Sequence, residues 1–516
     1  MLRKTQGESI FGSGESRICG VVATAGDREM ARQVRAALRE TRTIELRLDW
    51  LRGRAARAAF LKWLRKADLH ATFIATCRTK RGGGRFEGSA AAELEMLAQA
   101  VRSGCSWCDV ESQTLRAVGS GRVRQVLAPA KILVSIHDFR RAPRSFGSFL
   151  SMGRRFSGAG TKIAVQAGTI ADTLRVLRLA RRRSDVVAVP MGEIGLPGRI
   201  LALREGSALA YAPVEEATAP GQIPLYELKH LYRAHTLSRR TRVYGVIGDP
   251  VAHSLSPLLH NTGFIERRLD AVYLPFRVKE LRDFLKAVAE LGICGFSVTL
   301  PHKRAILRYL DDCEPLAAEI GAVNTVVVRR NGTLYGCNTD YVGVLRALES
   351  RLRLAGSRVL VFGAGGSARA AAFALARAGS CVVVCARREN RARQLARAVG
   401  GTVLPRRALR REYFDAILNT TPVGMHPRAG VSPLSAGELH CRVVMDFVYR
   451  PERTELLRIA ARRGCETVSG AEMFLSQGFA QWEIWTEKRA PEAAMRRAVL
   501  RALREEKRSV GARGRG

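Results

Sequence analysis

Eight short apolar runs rich in β-branched residues punctuate the first half of the chain, with Ala/Leu/Arg stretches of helical rhythm between them. They begin at Ile18 (ICGVVATAG), Thr43 (TIELRLDWL), Ala71 (ATFIATCR), Ser106 (SWCDVES), Lys131 (KILVSIHDF), Thr161 (TKIAVQAG), Val186 (VVAVPMG) and Ala208 (ALAYAPV). Eight strand–helix units predict a (β/α)8 barrel, which usually takes about 200–250 residues. An open doubly wound sheet more often stops at five or six strands. Polar residues gather at the ends of the runs: Glu45, Arg47 and Asp49, then Arg78, Glu111, His137 and Asp138. Barrel sites are built at the C-terminal ends of strands, so chemistry is expected there.

A basic stretch, RAHTLSRRTR from Arg233, reads as a linker, after which strand-like runs restart at RVYGVIGDP. The run SRVLVF from Ser357 leads straight into GAGGSA and an Ala-rich helix. Strand, glycine turn and helix in that order are the context in which such a turn binds a dinucleotide. Gly363 permits the tight turn, Ala364, Gly365, Gly366 and Ser367 bring backbone close to the pyrophosphate, and Ala368 packs the helix on the strand. The helix N-terminus then presents free N–H groups to the phosphates. The next strand, CVVVCARR, ends in Arg387 and Arg388 and carries no acidic residue for a ribose 2′-hydroxyl, so the expected cofactor is NADP.

With 516 residues the chain exceeds a single ordinary core, and its 47% apolar content excludes wholesale disorder. The fold class expected is α/β: an N-terminal barrel over 17–235, then a two-lobed unit. That unit has a substrate lobe over 242–345, completed by 470–500, and a Rossmann nucleotide lobe over 346–469. No apolar run reaches the ~18–20 residues needed to span a bilayer, and the opening residues lack a signal core. Eleven scattered cysteines fit a reducing compartment, so a cytoplasmic protein is expected. Cys105 and Cys108 have metal-ligand spacing, yet no second pair completes a site, and no metal is expected. The 85 Lys and Arg against 47 Asp and Glu leave a net charge of +38. The excess is spread along helical stretches without aromatic–basic stacking motifs, so nucleic acid is not expected as a partner. Such a field draws in anionic metabolites.

The order HSLSPLLHN, SVTLPHK, GAVNT, GCNTD, GAGGSARA, NTTPVGM and GAEMFLSQGFAQ resembles the motif set of shikimate dehydrogenases across 242–490. The resemblance implies that Ser254 and Ser256 hold a substrate carboxylate. It places Thr299, Asn324, Tyr449 and Gln477 around the ring, with Lys303 and Asp340 as a catalytic dyad. Oxidising a secondary alcohol moves a hydride from carbon and a proton from oxygen, and such a dyad can relay the proton. Ser297 stands where many single-domain relatives have Asn, and the SVT form is similar to that of fused plant-type enzymes.

The barrel half, through ELRLD, SIHDF, TKIAV, MGEIGLPGR and ATAPGQ, resembles type I 3-dehydroquinate dehydratases over 17–230. That implies a Schiff base on Lys162 and proton transfer by His137. Glu45, Arg47, Arg78, Arg199, Thr218 and Gln222 would hold the substrate. An iminium acidifies the neighbouring proton, and an imidazole can shuttle it near neutrality. Lys162 comes early in its apolar run, away from the expected rim. Many relatives have a glutamate four residues after the arginine matching Arg78, supporting the histidine; here that residue is Gly82, with Glu87 the nearby carboxylate. The implied substrates are 3-dehydroquinate and 3-dehydroshikimate or shikimate. A quinate preference in the second half, or a dehydratase weakened by Gly82, are the alternatives within that reading. The rival class is a nucleic-acid-binding protein on an enzyme-like scaffold.

Overall fold

All eight strands expected in the first half form: β1 (Ile18–Val22), β2 (Thr43–Arg47), β3 (Thr72–Thr76), β4 (Trp107–Glu111), β5 (Lys131–Asp138), β6 (Gly160–Gln166), β7 (Val186–Met191) and β8 (Ala210–Pro213). The computed structural model describes residues 10–11, 17–154, 156, 160–215, 221–425 and 429–513. The strands pair in the order β7-β6-β5-β4-β3-β2-β1-β8. Every pairing is parallel. The remaining seam, between β7 and β8, is bridged at its base. Ala208 N–H donates to the Val186 carbonyl at 2.8 Å, and Ala188 N–H donates to Ser207 Oγ at 3.0 Å.

Alternate residues of a strand share a face, and this sets the interior in layers. On β4 the inward series is Trp107, Asp109, Glu111; on β5 it is Leu133, Ser135, His137. The floor is apolar: Cys19, Val21, Ile74, Trp107, Leu133 and Val187 belong to one buried cluster, with Phe11 stacked on Trp107 at 4.2 Å. Above it the layers turn polar. Lys162 is the third residue of β6, in register with Ser135, which is in register with Glu111. The lysine therefore stands mid-strand, and its long side chain makes up the distance to the polar layer.

The chain separates into two compact units, residues 1–241 with 275–290 and residues 242–274 with 291–516. The second unit contains two six-stranded sheets. The first joins β9 (Arg242–Gly248), β10 (Ala271–Arg277), β11 (Ile293–Val298), β12 (Asp312–Cys313), β13 (Thr325–Val328) and β14 (Leu334–Cys337), in the order β10-β9-β11-β13-β14-β12. Helix α1 (Ser256–Glu266) packs with it around Tyr244, Phe264, Tyr273, Trp482 and Trp485.

Helix α2 (Asp340–Glu349) leads to the second sheet. Its strands are β15 (Arg358–Phe362), β16 (Cys381–Cys385), β17 (Thr402–Val403), β18 (Phe414–Asn419), β19 (Cys441–Asp446) and β20 (Glu466–Val468). All pair parallel in the order β17-β16-β15-β18-β19-β20. This is the doubly wound arrangement whose switch point, beside the first strand, carries the nucleotide crevice. Here that strand is β15, followed by the glycine turn and helix α3 (Gly366–Arg377). Helix α4 (Gly470–Thr486) then returns to the first sheet: Trp485 Nε1 donates to the Val326 carbonyl at 3.0 Å. Among the described residues no helix is long and apolar enough to cross a membrane.

Candidate active sites

In the barrel, Lys162 Nζ donates to Glu45 Oε1 at 3.0 Å and to Asp109 Oδ2 at 3.1 Å, and lies 3.7 Å from the ring centre of Tyr211. The lysine side chain is only 7% exposed. Arg78 joins the cluster. Its Nη2 donates to Asp109 Oδ2 at 2.6 Å, and its Nη1 to Ser135 Oγ at 2.7 Å and Glu111 Oε1 at 3.2 Å. Thr76 Oγ1 donates to Glu45 Oε1 at 2.9 Å. Buried charges persist only when paired and hydrogen-bonded, and this group meets both conditions. Burial opposes ionisation of Asp109, but Arg78 and Lys162 outweigh it and hold the carboxyl below its ordinary range. Burial, and then the positive charges of Arg78 and Lys162, push His137 well below the usual imidazole value. A neutral imidazole thus lines the chamber that holds Lys162.

The other expected barrel residues are placed as follows. Arg47 is clamped by both oxygens of Asp49, at 3.0 and 2.9 Å. Arg199 Nε donates to the Pro190 carbonyl at 3.0 Å, and burial draws its guanidinium down to about 10. Gln222 is half-buried beyond β8. Thr218 lies outside the described residues. Cys105 and Cys108 are both buried, which raises both thiols, Cys105 to about 12. No group of three or more His, Cys, Asp or Glu among the described residues could hold a metal ion.

In the second unit, Lys303 Nζ donates to Asp340 Oδ2 at 2.5 Å, and Asn324 Nδ2 donates to Asp340 Oδ1 at 2.7 Å. Asp340 opens α2, with its own N–H held by Asn338 Oδ1 at 2.9 Å. The Asn324 amide also reaches Gln477 Oε1 at 3.4 Å, so α4 brings Gln477 to the pair. Ser254 and Ser256 lie at the start of α1, where the Ser256 N–H donates to Ser254 Oγ at 3.2 Å. Thr299 follows β11, its N–H bonded to the Ile247 carbonyl at 2.9 Å. Tyr449 stacks on Phe474 of α4 at 4.6 Å.

The glycine turn sits against this pair. A Cβ on Gly366 would lie 3.6 Å from both Cβ and Cδ of Lys303. Gly363 has φ +126°, and a Cβ there would meet Thr420 Oγ1 at 2.3 Å, so only glycine fits. Gly365 faces open space, leaving room for a phosphate at the N-terminus of α3, while Ala368 is fully buried. Arg387 and Arg388 are exposed just past β16, and the residue between strand and arginines is Ala386 rather than a carboxylate. These features fit a dinucleotide with a 2′-phosphate.

Residues 18–239 match the family model for type I 3-dehydroquinase, 246–326 that for the shikimate dehydrogenase substrate binding domain, and 470–500 that for the shikimate 5′-dehydrogenase C-terminal domain. A bifunctional 3-dehydroquinate dehydratase/shikimate dehydrogenase of Arabidopsis thaliana, described as chloroplastic, is 35% identical over 474 residues, covering 87% of this chain and 78% of the relative. The chain belongs to this bifunctional family. Its dehydrogenase half is also 42% identical to an NADP(+) shikimate dehydrogenase of Methanothermobacter thermautotrophicus, over 52% of this chain and 99% of the relative. A crystal structure of the Thermus thermophilus shikimate 5-dehydrogenase with NADP(H) and shikimate covers 50% of this chain and 99% of that one, at 37% identity and a TM-score of 0.47.

Sequence reasoning about this family member missed several residues that complete the two sites. Asp109, Ser135 and Tyr211 join Lys162 and Arg78, although the i, i+2 spacing of Asp109 and Glu111 marks a shared face. In the dehydrogenase half, Tyr273 Oη lies 2.6 Å from Ser297 Oγ, which donates to Gln481 Oε1 at 2.9 Å. Gln481 Nε2 in turn donates to the Asn324 carbonyl at 3.1 Å. Tyr273 lies in an apolar run and reads as core.

Proposed function

We propose that Lys162 of the barrel forms an imine with the ketone of 3-dehydroquinate, and that the second unit reduces the resulting 3-dehydroshikimate at Lys303 and Asp340. The protein is a bifunctional enzyme of the shikimate pathway, a dehydratase and an NADP-dependent dehydrogenase. The domains we assign are 17–235 for the dehydratase, 242–345 with 470–500 for the substrate lobe, and 346–469 for the nucleotide lobe. We assign it to the cytoplasm, a reading supported by its eleven scattered cysteines.

In the barrel the amine must shed its proton before attack. We assign the proton transfers to His137, two residues beyond Ser135, which is in register with Lys162. The imine then draws electrons from the neighbouring carbon, whose proton leaves as the β-hydroxyl departs as water; hydrolysis returns the amine and the enone. Glu45, Arg47, Arg78, Arg199 and Gln222, together with Thr218, are the residues we assign to the substrate's carboxylate and hydroxyls. Glu45 and Asp109 hold Lys162 in place between turnovers.

In the second unit, Gly363 to Ala368 hold the pyrophosphate and Arg387 and Arg388 the 2′-phosphate. When bound, NADP supplies the hydride. Lys303 holds a proton at Nζ for the ketone oxygen, and Asp340 keeps that proton in place. Ser254 and Ser256 orient the substrate carboxylate; Thr299, Asn324, Tyr449 and Gln477 surround the ring.

The observation that carries this reading is that each unit sets one lysine, Lys162 buried and Lys303 partly buried, against a carboxylate of its own motif set. A coupled assay tests it. Purified chain given 3-dehydroquinate and NADPH should consume NADPH and yield shikimate. No consumption with 3-dehydroshikimate would overturn the dehydrogenase assignment, and consumption with 3-dehydroshikimate alone would overturn the dehydratase assignment.

A further inference from the structure

Residue 82 has no room for a side chain. A Cβ on Gly82 would lie 1.9 Å from Oε1 of Glu111 and 2.9 Å from Cδ of Arg78. Glu111 is the last residue of β4, on the inward face it shares with Asp109. Its Oε2 accepts from Thr79 Oγ1 at 2.6 Å, and its Oε1 from Arg78 Nη1 at 3.2 Å. Thr79 Oγ1 also accepts from the Gly82 N–H at 3.1 Å. One carboxylate therefore ties the loop after β3 to the strand beside it. The loop is closed on itself by Gly84 N–H to the Thr79 carbonyl at 2.8 Å and Phe86 N–H to the Arg78 carbonyl at 3.0 Å. Gly82, Glu111, Ser135 and His137 line one cavity of about 200 Å³. Glu87, the nearest carboxylate in sequence, points away from it: its side chain is 66% exposed and pairs with Lys80.

We propose that Glu111 is a positioning residue of the dehydratase, supplying from β4 the carboxylate of the His137 side of the chamber, with Gly82 left bare to admit it. Glu111 acts through Arg78. It holds one arm of the guanidinium while Asp109 holds the other, and Asp109 also holds Lys162. The same contact keeps the loop Thr79–Phe86 against the barrel mouth. Losing the charge releases the loop and leaves the cation of Arg78 less compensated beside His137. The proposal rests on the dehydratase reading above.

The test uses the full chain and three variants: Glu111→Gln, Gly82→Glu, and Gly82→Glu combined with Glu111→Gly. Glu111→Gln should lower dehydratase kcat by about tenfold to a hundredfold, the range for a hydrogen bond to a charged group. KM should change less, and the acidic limb of the pH profile should move to lower pH as Arg78, which depresses the imidazole, loses part of its compensation. Gly82→Glu alone should also lose activity, because two carboxylates then compete for one space. The double variant, with its carboxylate arriving from the loop, should recover most of the loss. Unchanged kcat and pH profile in Glu111→Gln would overturn the proposal, as would a double variant no better than Gly82→Glu. Amide exchange across residues 79–86 in substrate-free protein reads the same contact without turnover. Faster exchange in Glu111→Gln supports it, and unchanged protection overturns it. A parent chain that never dehydrates sinks the dehydratase reading instead, and the exchange result then decides the positioning role.

Discussion

Asn324 donates its side-chain amide to one oxygen of Asp340 while Lys303 takes the other, at 2.7 and 2.5 Å. Each oxygen of the carboxylate is thus engaged before substrate arrives, and its charge holds the Lys303 ammonium in place. Asp340→Asn removes that charge and turns an amide toward an ammonium. We expect shikimate oxidation to fall by about 10²–10⁴-fold, the usual contribution of a proton-transfer group, while dehydration of 3-dehydroquinate continues. Steady-state kinetics of both reactions on one preparation check this; loss of both would point to misfolding.

Lys162→Ala should abolish dehydration and borohydride trapping of 3-dehydroquinate, with shikimate oxidation intact. It should also destabilise the barrel. Asp109 keeps Arg78, but Glu45 loses its ammonium partner and, among the described residues, keeps the Thr76 hydroxyl. Breaking a buried pair typically costs about 3–5 kcal/mol. Urea unfolding followed by barrel tryptophan fluorescence gives the measurement. Retained trapping would show that another lysine carries the imine.

Glu93 predicts a pH dependence of barrel stability. It is fully buried on the helix Ala90–Arg102, where one oxygen accepts from Thr114 Oγ1 at 2.6 Å and the other has no hydrogen-bond partner. Burial raises its carboxyl from 4.5 to about 7. Between those values the folded barrel binds the proton and the unfolded chain does not. Its contribution is therefore complete at low pH and is lost as pH rises through about 7. Parent and Glu93→Gln should diverge over that window by up to about 3 kcal/mol, with the parent losing stability as pH rises. Parallel urea midpoints from pH 4 to pH 8 would refute this.

Neutralising Arg387 and Arg388 together should weaken NADP by about 10–100-fold, the range for losing charge-assisted hydrogen bonds, with little effect on NAD. Titration with both nucleotides decides it. Equal losses would assign the arginines a role outside the 2′-phosphate site. Turnover of shikimate against quinate on the same protein separates the two alcohol substrates.

The strands, the glycine turn and the motif lysines were legible because each depends on residues adjacent in the chain. Alternation of β-branched runs located β1 to β8, and the order strand, GAGGSA, helix located the nucleotide lobe. Contacts made across strands were not legible. Asp109 goes unremarked inside SWCDVES until β3, β4 and β6 bring it to Arg78 and Lys162. Lys162 looks misplaced in its run because sequence counts residues, whereas the barrel staggers strands so that Lys162, Ser135 and Glu111 fall in register. Gly82 reads as a loss until Glu111 is seen in its space. Tyr273 lies in an apolar run with no motif, and the sheet sets it beside Ser297; Gln481 only closes the GAEMFLSQGFAQ motif, and the return of α4 makes it a partner of Ser297 and Asn324.

That return makes the second site a late product of synthesis. Trp485, Gln481 and Gln477 grip β13 and Asn324 from a helix that follows the entire nucleotide lobe. A chain stopping short of residue 470 could hold cofactor on a finished Rossmann sheet while its other lobe lacked a wall. On a translating ribosome the barrel can be ready to work while its partner still waits for Gly470–Thr486, so the second reaction reports that synthesis has passed that helix.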